Sequence, residues 1–419
     1  MTPTFDPAEL LAQIKANLDG IASFWRQRGI DPAGGYHTIF SADGAVQVDP
    51  RKTLIAQTRI LWTFATLAQV FGDESFLPMA AHGFNFLVDK FHDERNGGWY
   101  WAVGGDAPDD QAKLMYGQSF ALYSLCAYAA ASGLAEAREL ALETFDAMHK
   151  AADVAYGGFF ENIGIDWTPE DTESGRRKSL DIHLHLLEAF SALAQLTGDP
   201  THLRRLREVR QLLLDKMVDP VFGIGGTQYD AAWTPLEPIV ISRTWIAERI
   251  GDEAQPPGQF TTSYGHNLEL GWLLGWADEL LDGDAHLHAG LVDRMGAHTL
   301  KYGYDTKFGG VFREGPPLGA ATDTDKEFWQ NAESLTGFLH LYELTGKPEY
   351  ADAFAATWAF AKQHLIHPEL QEWHIRTTRD GTMIDDCLGN QWTGGYHTVR
   401  APIECVRRLT SLVASQSQF

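Results

Sequence analysis

The sequence predicts an all-α fold, an (α/α)6 barrel with short β-hairpins in its connecting loops, and three observations lead there. Apolar residues recur at helical spacing through most of the chain, as buried helical stripes require. A Gly-Gly-aromatic turn returns at intervals of roughly 60 to 85 residues, room for two helices and their connections. Stretches of strict apolar and polar alternation, the mark of half-buried strands, are scarce.

From Leu54 to Phe71 the apolar residues Leu54, Ile55, Ile60, Leu61, Phe64, Leu67 and Val70 fall mostly three or four apart. The same pattern runs through Met115 to Tyr128, Leu180 to Leu196, Leu268 to Leu281, Asn331 to Leu344 and Tyr350 to Leu365. Between these runs stand Gly34-Gly35-Tyr36, Gly97-Gly98-Trp99-Tyr100, Gly157-Gly158-Phe159-Phe160, Gly223-Ile224-Gly225-Gly226 and Gly309-Gly310-Val311-Phe312, with Glu372-Trp373-His374 as a degenerate sixth copy. Paired glycines relax the backbone for a tight turn, and the aromatics that follow suit a short strand pair over the bundle end. Six helical hairpins result. Closing them into a ring covers the terminal hairpins that an open solenoid would expose. No low-complexity linker divides the chain, so residues 1–419 are expected to form one catalytic domain.

The formal net charge of -23 opposes binding to nucleic acid or anionic membrane, which relies on Lys and Arg. Cys126, Cys387 and Cys405 have neither the number nor the spacing of a disulfide framework or zinc site. Residues Met1 to Asp19 lack a basic stretch followed by an apolar run, and no apolar segment is long enough to span a bilayer. A cytoplasmic protein is expected, as a monomer or homodimer.

Three histidine-bearing segments carry the chemistry: Ser179 to Glu188, Tyr264 to Glu269, and Trp392 to Arg400. His183 and His185 are two apart, so on a helix they point in nearly opposite directions and only one faces a common cavity. Asp181 suits either a cap of its helix or a hydrogen bond to a ligand. His266 and Glu269 lie three apart, close enough for the carboxylate to contact the imidazole or to share its ligand. His397 follows a glycine-rich approach to the last helix. Arg59 sits in a helix that otherwise reads as core, where a permanent charge needs a carboxylate or a polarised ligand oxygen. Tyr116, Trp329, Glu333 and Trp392 complete the candidates. Aromatic faces beside polar groups suit a sugar, although aromatic cores look alike in sequence.

Assembled in this order, the motifs resemble those of the N-acylglucosamine 2-epimerase superfamily, nearest to its cellobiose and mannose epimerase and isomerase members. The likeness runs from Phe24-Trp25 and Gly34-Gly35-Tyr36 to Tyr396-His397 and Arg400. It implies a cofactor-free (α/α)6 barrel that moves a proton beside a sugar aldehyde. Catalytic roles would fall to His266 and His397, with His185 as a third pocket histidine. Arg59 would hold the substrate oxygen, Glu269 would position His266, and Tyr116, Trp329 and Trp392 would shape the sugar subsite. Departures from the cellobiose epimerase pattern are Asp181 in place of Asn, Phe328-Trp329 in place of a Trp pair, and Thr393-Gly394-Gly395 in place of a bulkier segment. They leave sugar length open.

Four readings of the residues compete. An aldose 2-epimerase or aldose-ketose isomerase uses the histidines as acid and base near neutrality. A glycoside hydrolase uses two opposed carboxyl groups, for which Glu269, Glu333 and Asp181 are candidates. A noncatalytic sugar binder needs only the aromatics. A metal site would use the histidines with Glu269, but no compact ligand motif is present.

Overall fold

Most inner helices of this chain begin where a short extended segment meets a run that is buried on nearly every side. The computed structural model describes residues 5–105, 107–241, 243–245, 247 and 260–416. In chain order its helices are α1 (Pro7–Arg28), α2 (Leu54–Phe71), α3 (Leu77–Phe86), α4 (Met115–Ser132), α5 (Ala135–Met148) and α6 (Leu180–Thr197). There follow α7 (Pro200–Leu212), α8 (Tyr264–Asp282), α9 (Ala289–His298), α10 (Phe328–Thr345), α11 (Pro348–Phe360) and α12 (Tyr396–Gln416).

The even-numbered helices form the inner ring, each packed on the next, and α12 closes it by packing on both α10 and α2. Odd-numbered helices form the outer layer. The burial pattern separates the layers: nearly all of α6 is buried, whereas α7 buries only His202, Leu206, Val209 and Arg210. A helix apolar all round needs neighbours all round, and an amphipathic one needs them on one side. This is the (α/α)6 barrel expected from the repeat. The apolar run of α8 suggested a start at Leu268, but the helix begins one turn earlier, at Tyr264, because the Ser263 hydroxyl accepts from the His266 N–H and caps it.

The sheets are small and lie in the connections. Strands just before the inner helices pair antiparallel with the connection that follows: Arg51–Thr53 with Ala102–Gly104, Lys178–Ser179 with Gln228–Tyr229, Thr262–Ser263 with Glu314–Gly315, and Lys326–Glu327 with Arg376–Thr377. These pairings link neighbouring hairpins around one mouth of the barrel.

The recurring turn is held in three ways. Its glycines adopt left-handed backbone, φ 79° and 70° at Gly97 and Gly98, and a Cβ at Gly98 would meet the Trp167 ring at 2.5 Å. An aspartate opening the turn pairs with a lysine just before the next inner helix: Asp31 with Lys52 at 2.7 Å, Asp93 with Lys113 at 2.9 Å, Asp153 with Lys178 at 2.7 Å and Asp305 with Lys326 at 3.1 Å. Finally, the fourth residue of the inner helix accepts a backbone N–H from the turn. Gln57 accepts from Tyr36, Gln118 from Trp99, His183 from Phe159, Asn267 from Gly225 and Asn331 from Val311.

His183 is therefore part of the scaffold. Its Nδ1–H donates to the Ser179 carbonyl, its Nε2 accepts from Phe159, and burial holds its pKa down at about 4. The degenerate sixth turn is built differently. Gln371 takes the left-handed φ of 64°, and Glu372 accepts from the Trp373 N–H and the Trp25 indole. Those two bonds replace the one that Val399, the fourth residue of α12, has no polar atom to make.

Two outcomes follow for stability. Lys113→Met leaves the buried Asp93 carboxylate without its cation and is expected to cost about 3 kcal/mol or more in denaturant unfolding. His183→Gln, which installs the residue used at the same place in the first two repeats, is expected to fold and to keep turnover within about twofold, checked by thermal melting and rate assays.

Candidate active site

The mouth joined by the small sheets is where the inner helices begin, and a cavity opens there. Every candidate residue except Trp392 lies within the first six residues of an inner helix: Arg59 on α2, Tyr116 on α4, Asp181 and His185 on α6, His266 and Glu269 on α8, Trp329 and Glu333 on α10, and His397 on α12. Helix N-termini carry partial positive charge, so this end of the barrel favours an anionic ligand or transition state.

Asp181 lies between two imidazoles, 3.3 Å from His266 Nε2 and 3.5 Å from His185 Nε2. Burial would raise its carboxyl, but His266 and His185 outweigh it and hold the group well below the usual carboxylate range. For His185, burial works against the charged form. The nearby Asp181 carboxylate, a hydrogen bond from Nδ1–H to Glu188 and the Glu269 charge behind them nonetheless push it up to about 9. His185 thus carries a proton on each ring nitrogen at neutral pH. Its Nε2 lies 2.9 Å from the Tyr116 hydroxyl, which also accepts from Arg59 at 3.2 Å. With both neighbours donating, the proton of Tyr116 is free to point into the cavity.

His397 is the opposite case. Burial and then the nearby Arg59 charge hold its pKa well below the ordinary value. The neutral ring donates Nδ1–H to Glu333 Oε1 at 2.8 Å and keeps the Nε2 lone pair. His266 and His397 flank one indole, with Trp329 ring centroids at 4.6 and 5.7 Å. Arg59 bonds the Trp392 carbonyl and lies over the Phe120 and Tyr396 rings at 4.4 and 5.0 Å. It has no carboxylate within ion-pairing distance among the described residues.

Beneath these groups lies a buried ionic floor. Arg400 bonds Glu188 and Glu269 and lies 2.7 Å from Glu333 Oε1, while the Tyr396 hydroxyl donates to Glu188. Burial would raise Glu188, but Arg400 and His185 hold it at about 2. Glu269, Glu333 and His397 bring three ligand atoms within 4.8 Å of one another. Arg400 already supplies the positive charge between those carboxylates, so the cluster is closed by a guanidinium.

His185, His266, His397, Arg59, Glu269, Tyr116, Asp181, Trp329 and Trp392 all line the cavity. Two assignments change. The carboxylate beside His266 is Asp181, not Glu269, because Glu269 is committed to Arg400. Glu333, expected to touch substrate, is fully buried, is not among the residues lining the cavity, and accepts the Nδ1–H of His397. Asp181 is also not the cap of α6; the Ser179 hydroxyl accepts from Ile182 and takes that role. The residues missed are Glu188 and Arg400. Their signal was an acid or base on an otherwise apolar inner helix, and an unpartnered core charge implies partners on other helices.

Two imidazoles on either side of one indole, in a cavity that also holds a buried guanidinium without a carboxylate partner among the described residues, make this mouth a candidate acid/base site. Known proteins agree. The N-acylglucosamine 2-epimerase model matches residues 34–401. The chain is 28% identical to the cellobiose 2-epimerase of Bacteroides fragilis over 396 residues, 92% of this chain and 95% of that one. It is 25% identical to the D-mannose isomerase of Marinomonas mediterranea over 418 residues, 97% of this chain and 99% of that one. Among solved structures, the cellobiose 2-epimerase of Spirochaeta thermophila superposes with a TM-score of 0.82 at 28% identity, covering 97% of this chain and 98% of that one. The chain belongs to the N-acylglucosamine 2-epimerase family, and it is an isomerase.

The raised pKa of His185 has a consequence for stability. A group that gains affinity for its proton on folding stabilises the fold fully below its unfolded pKa, about 6.5, and loses that contribution as pH rises. The loss is complete once pH passes the folded value of about 9. The wild-type melting temperature is expected to fall more steeply between pH 6.5 and 9 than that of His185→Gln, measured in parallel melts.

Proposed function

We propose that this enzyme moves the proton on carbon 2 of a reducing aldose, either glucose and mannose or a reducing-end glucose, through an enediolate. The observation that carries the reading is Arg59: a buried guanidinium in the cavity, bonded to neutral oxygens and without a carboxylate partner among the described residues. A buried charge left uncompensated in the resting protein is costly, and one that meets a developing oxyanion is stabilised only when that charge appears.

His397 is the base. Its neutral ring is oriented by Glu333, which accepts Nδ1–H and strengthens the lone pair on Nε2. His266, oriented by Asp181, serves as the second acid/base group on the other side of the Trp329 ring and assists ring opening. Arg59 and the Tyr116 hydroxyl hold the oxygens on which negative charge develops, and the helix N-termini add to the same field. The proton returned to the opposite face of carbon 2 gives the 2-epimer; delivered to carbon 1, it gives the ketose. No metal or other cofactor enters this chemistry. The free cysteines Cys126, Cys387 and Cys405 support a reducing, cytoplasmic setting. No helix among the described residues is long and apolar enough to cross a membrane.

Turnover of glucose, mannose, cellobiose or N-acetylglucosamine in D2O, with products resolved chromatographically and by NMR, tests this directly. Deuterium is expected at carbon 2 of an epimer or carbon 1 of a ketose. His397→Asn and His266→Asn are each expected to lower kcat by roughly 10² to 10⁴-fold. Normal turnover in either variant, or product without solvent deuterium, would sink the mechanism.

A further inference from the structure

Glu161 stands in the connection between α5 and α6, and it is one carboxyl of the cavity wall that no acid/base step above employs. Its backbone is pinned, since its carbonyl accepts from the Met115 N–H at 3.0 Å where α4 begins. The residue is 1% exposed, its side chain lines the same cavity as Tyr116 and Asp181, and its Oε2 has no hydrogen-bond partner.

The scaffold does not require an acid there. Glu161 is the third residue after Gly158, and the same place in other repeats is held by Thr38, Trp101, Arg313 and Ile375. Two of those also serve the mouth: Arg313 lines the cavity, and Trp101 packs on Trp392 with ring centroids 5.8 Å apart. A buried carboxyl with an unpaired oxygen costs stability unless something else satisfies it.

We propose that Glu161 is a specificity-determining residue that donates a hydrogen bond from its carboxylic acid to a hydroxyl of the bound sugar, on the side of the cavity formed by the starts of α4 and α6. Burial, with the Asp181 charge adding to it, pushes this carboxyl up to about 8 despite a hydrogen bond from Ser179, so the acid form prevails at neutral pH. Tyr116 at the start of α4, Ser179, Asp181 and His185 on the α6 side, and Thr227 and Gln228 at the strand paired with Ser179 are the polar and titratable lining groups on this side among the described residues. Sugar hydroxyls accept as well as donate, and a neutral donor beside the ionised Asp181 gives that wall one donor and one acceptor. Such a pair selects the orientation of neighbouring hydroxyl groups on the substrate.

The assignment rests on the sugar-isomerase reading. Steady-state kinetics of the full chain from pH 6.5 to 9.5, with sugars that the wild type converts, separate the two. A sugar that is bound but not converted is followed by calorimetry instead. Glu161→Leu is expected to raise KM or Kd about tenfold at pH 7 with kcat within about threefold, and to melt no lower than wild type. Glu161→Gln keeps a donor that does not titrate. It is expected to hold KM within about threefold at pH 7 and to lack the alkaline rise in KM that wild type shows above about pH 8. His185 titrates alike in both proteins, so the difference between wild type and Glu161→Gln isolates Glu161. An unchanged KM or Kd in Glu161→Leu, or an identical alkaline rise in Glu161→Gln, overturns the proposal. Wild type that neither converts nor binds any sugar overturns the isomerase reading and this proposal together.

Discussion

Arg400 is the constraint on which the site depends. One buried guanidinium on the closing helix reaches carboxylates of three other inner helices, Glu188 on α6, Glu269 on α8 and Glu333 on α10. Desolvating it is tolerable only because all three are present, and each acid is tolerable only because of Arg400. The cluster thereby locks the rotation of four helices about their own axes. Two of its members extend that order upward: Glu188 to His185 and Glu333 to His397. A second cavity lies on the other side of this floor, and Arg400, Trp62, Tyr123 and Trp272 are among the residues that line it.

Two histidines of the same type are driven to opposite protonation states within this frame. His185 sits among carboxylates and holds its proton, whereas His397 is buried nearer to Arg59 and gives its proton up. Environments that push like groups apart in pKa are what acid/base chemistry at a fixed pH requires. Asp181, shared by His185 and His266, connects the two halves of the site.

Most of the fold was legible in the sequence because the repeat is local. Paired glycines permit left-handed backbone, as at Gly97-Gly98 and Gly157-Gly158, and apolar residues three and four apart need a buried face. The observed starts of α2, α4 and α6 coincide with the start of the apolar pattern. The start of α8 did not, since Ser263 and Tyr264 begin that helix through a cap and a buried ring rather than through periodicity. The sixth turn was recognisable by Trp373 alone, because Gln371 and Glu372 achieve with side-chain bonds what glycines achieve elsewhere.

The sequence by itself determined the helical hairpins of the barrel and the residue types that meet at its mouth, and the family resemblance favoured His185 over His183; the structure then showed His183 in the place of Gln57 and Gln118. Only the tertiary structure decided the pairings. Asp181 reaches His266 across 85 residues of chain, Glu333 reaches His397 across 64, and the near neighbour Glu269 turns away to Arg400. The physical reason is rotational. Spacing along a helix states which residues share its face, but which face meets which neighbour depends on the closure of the ring and on Arg400, buried among three carboxylates.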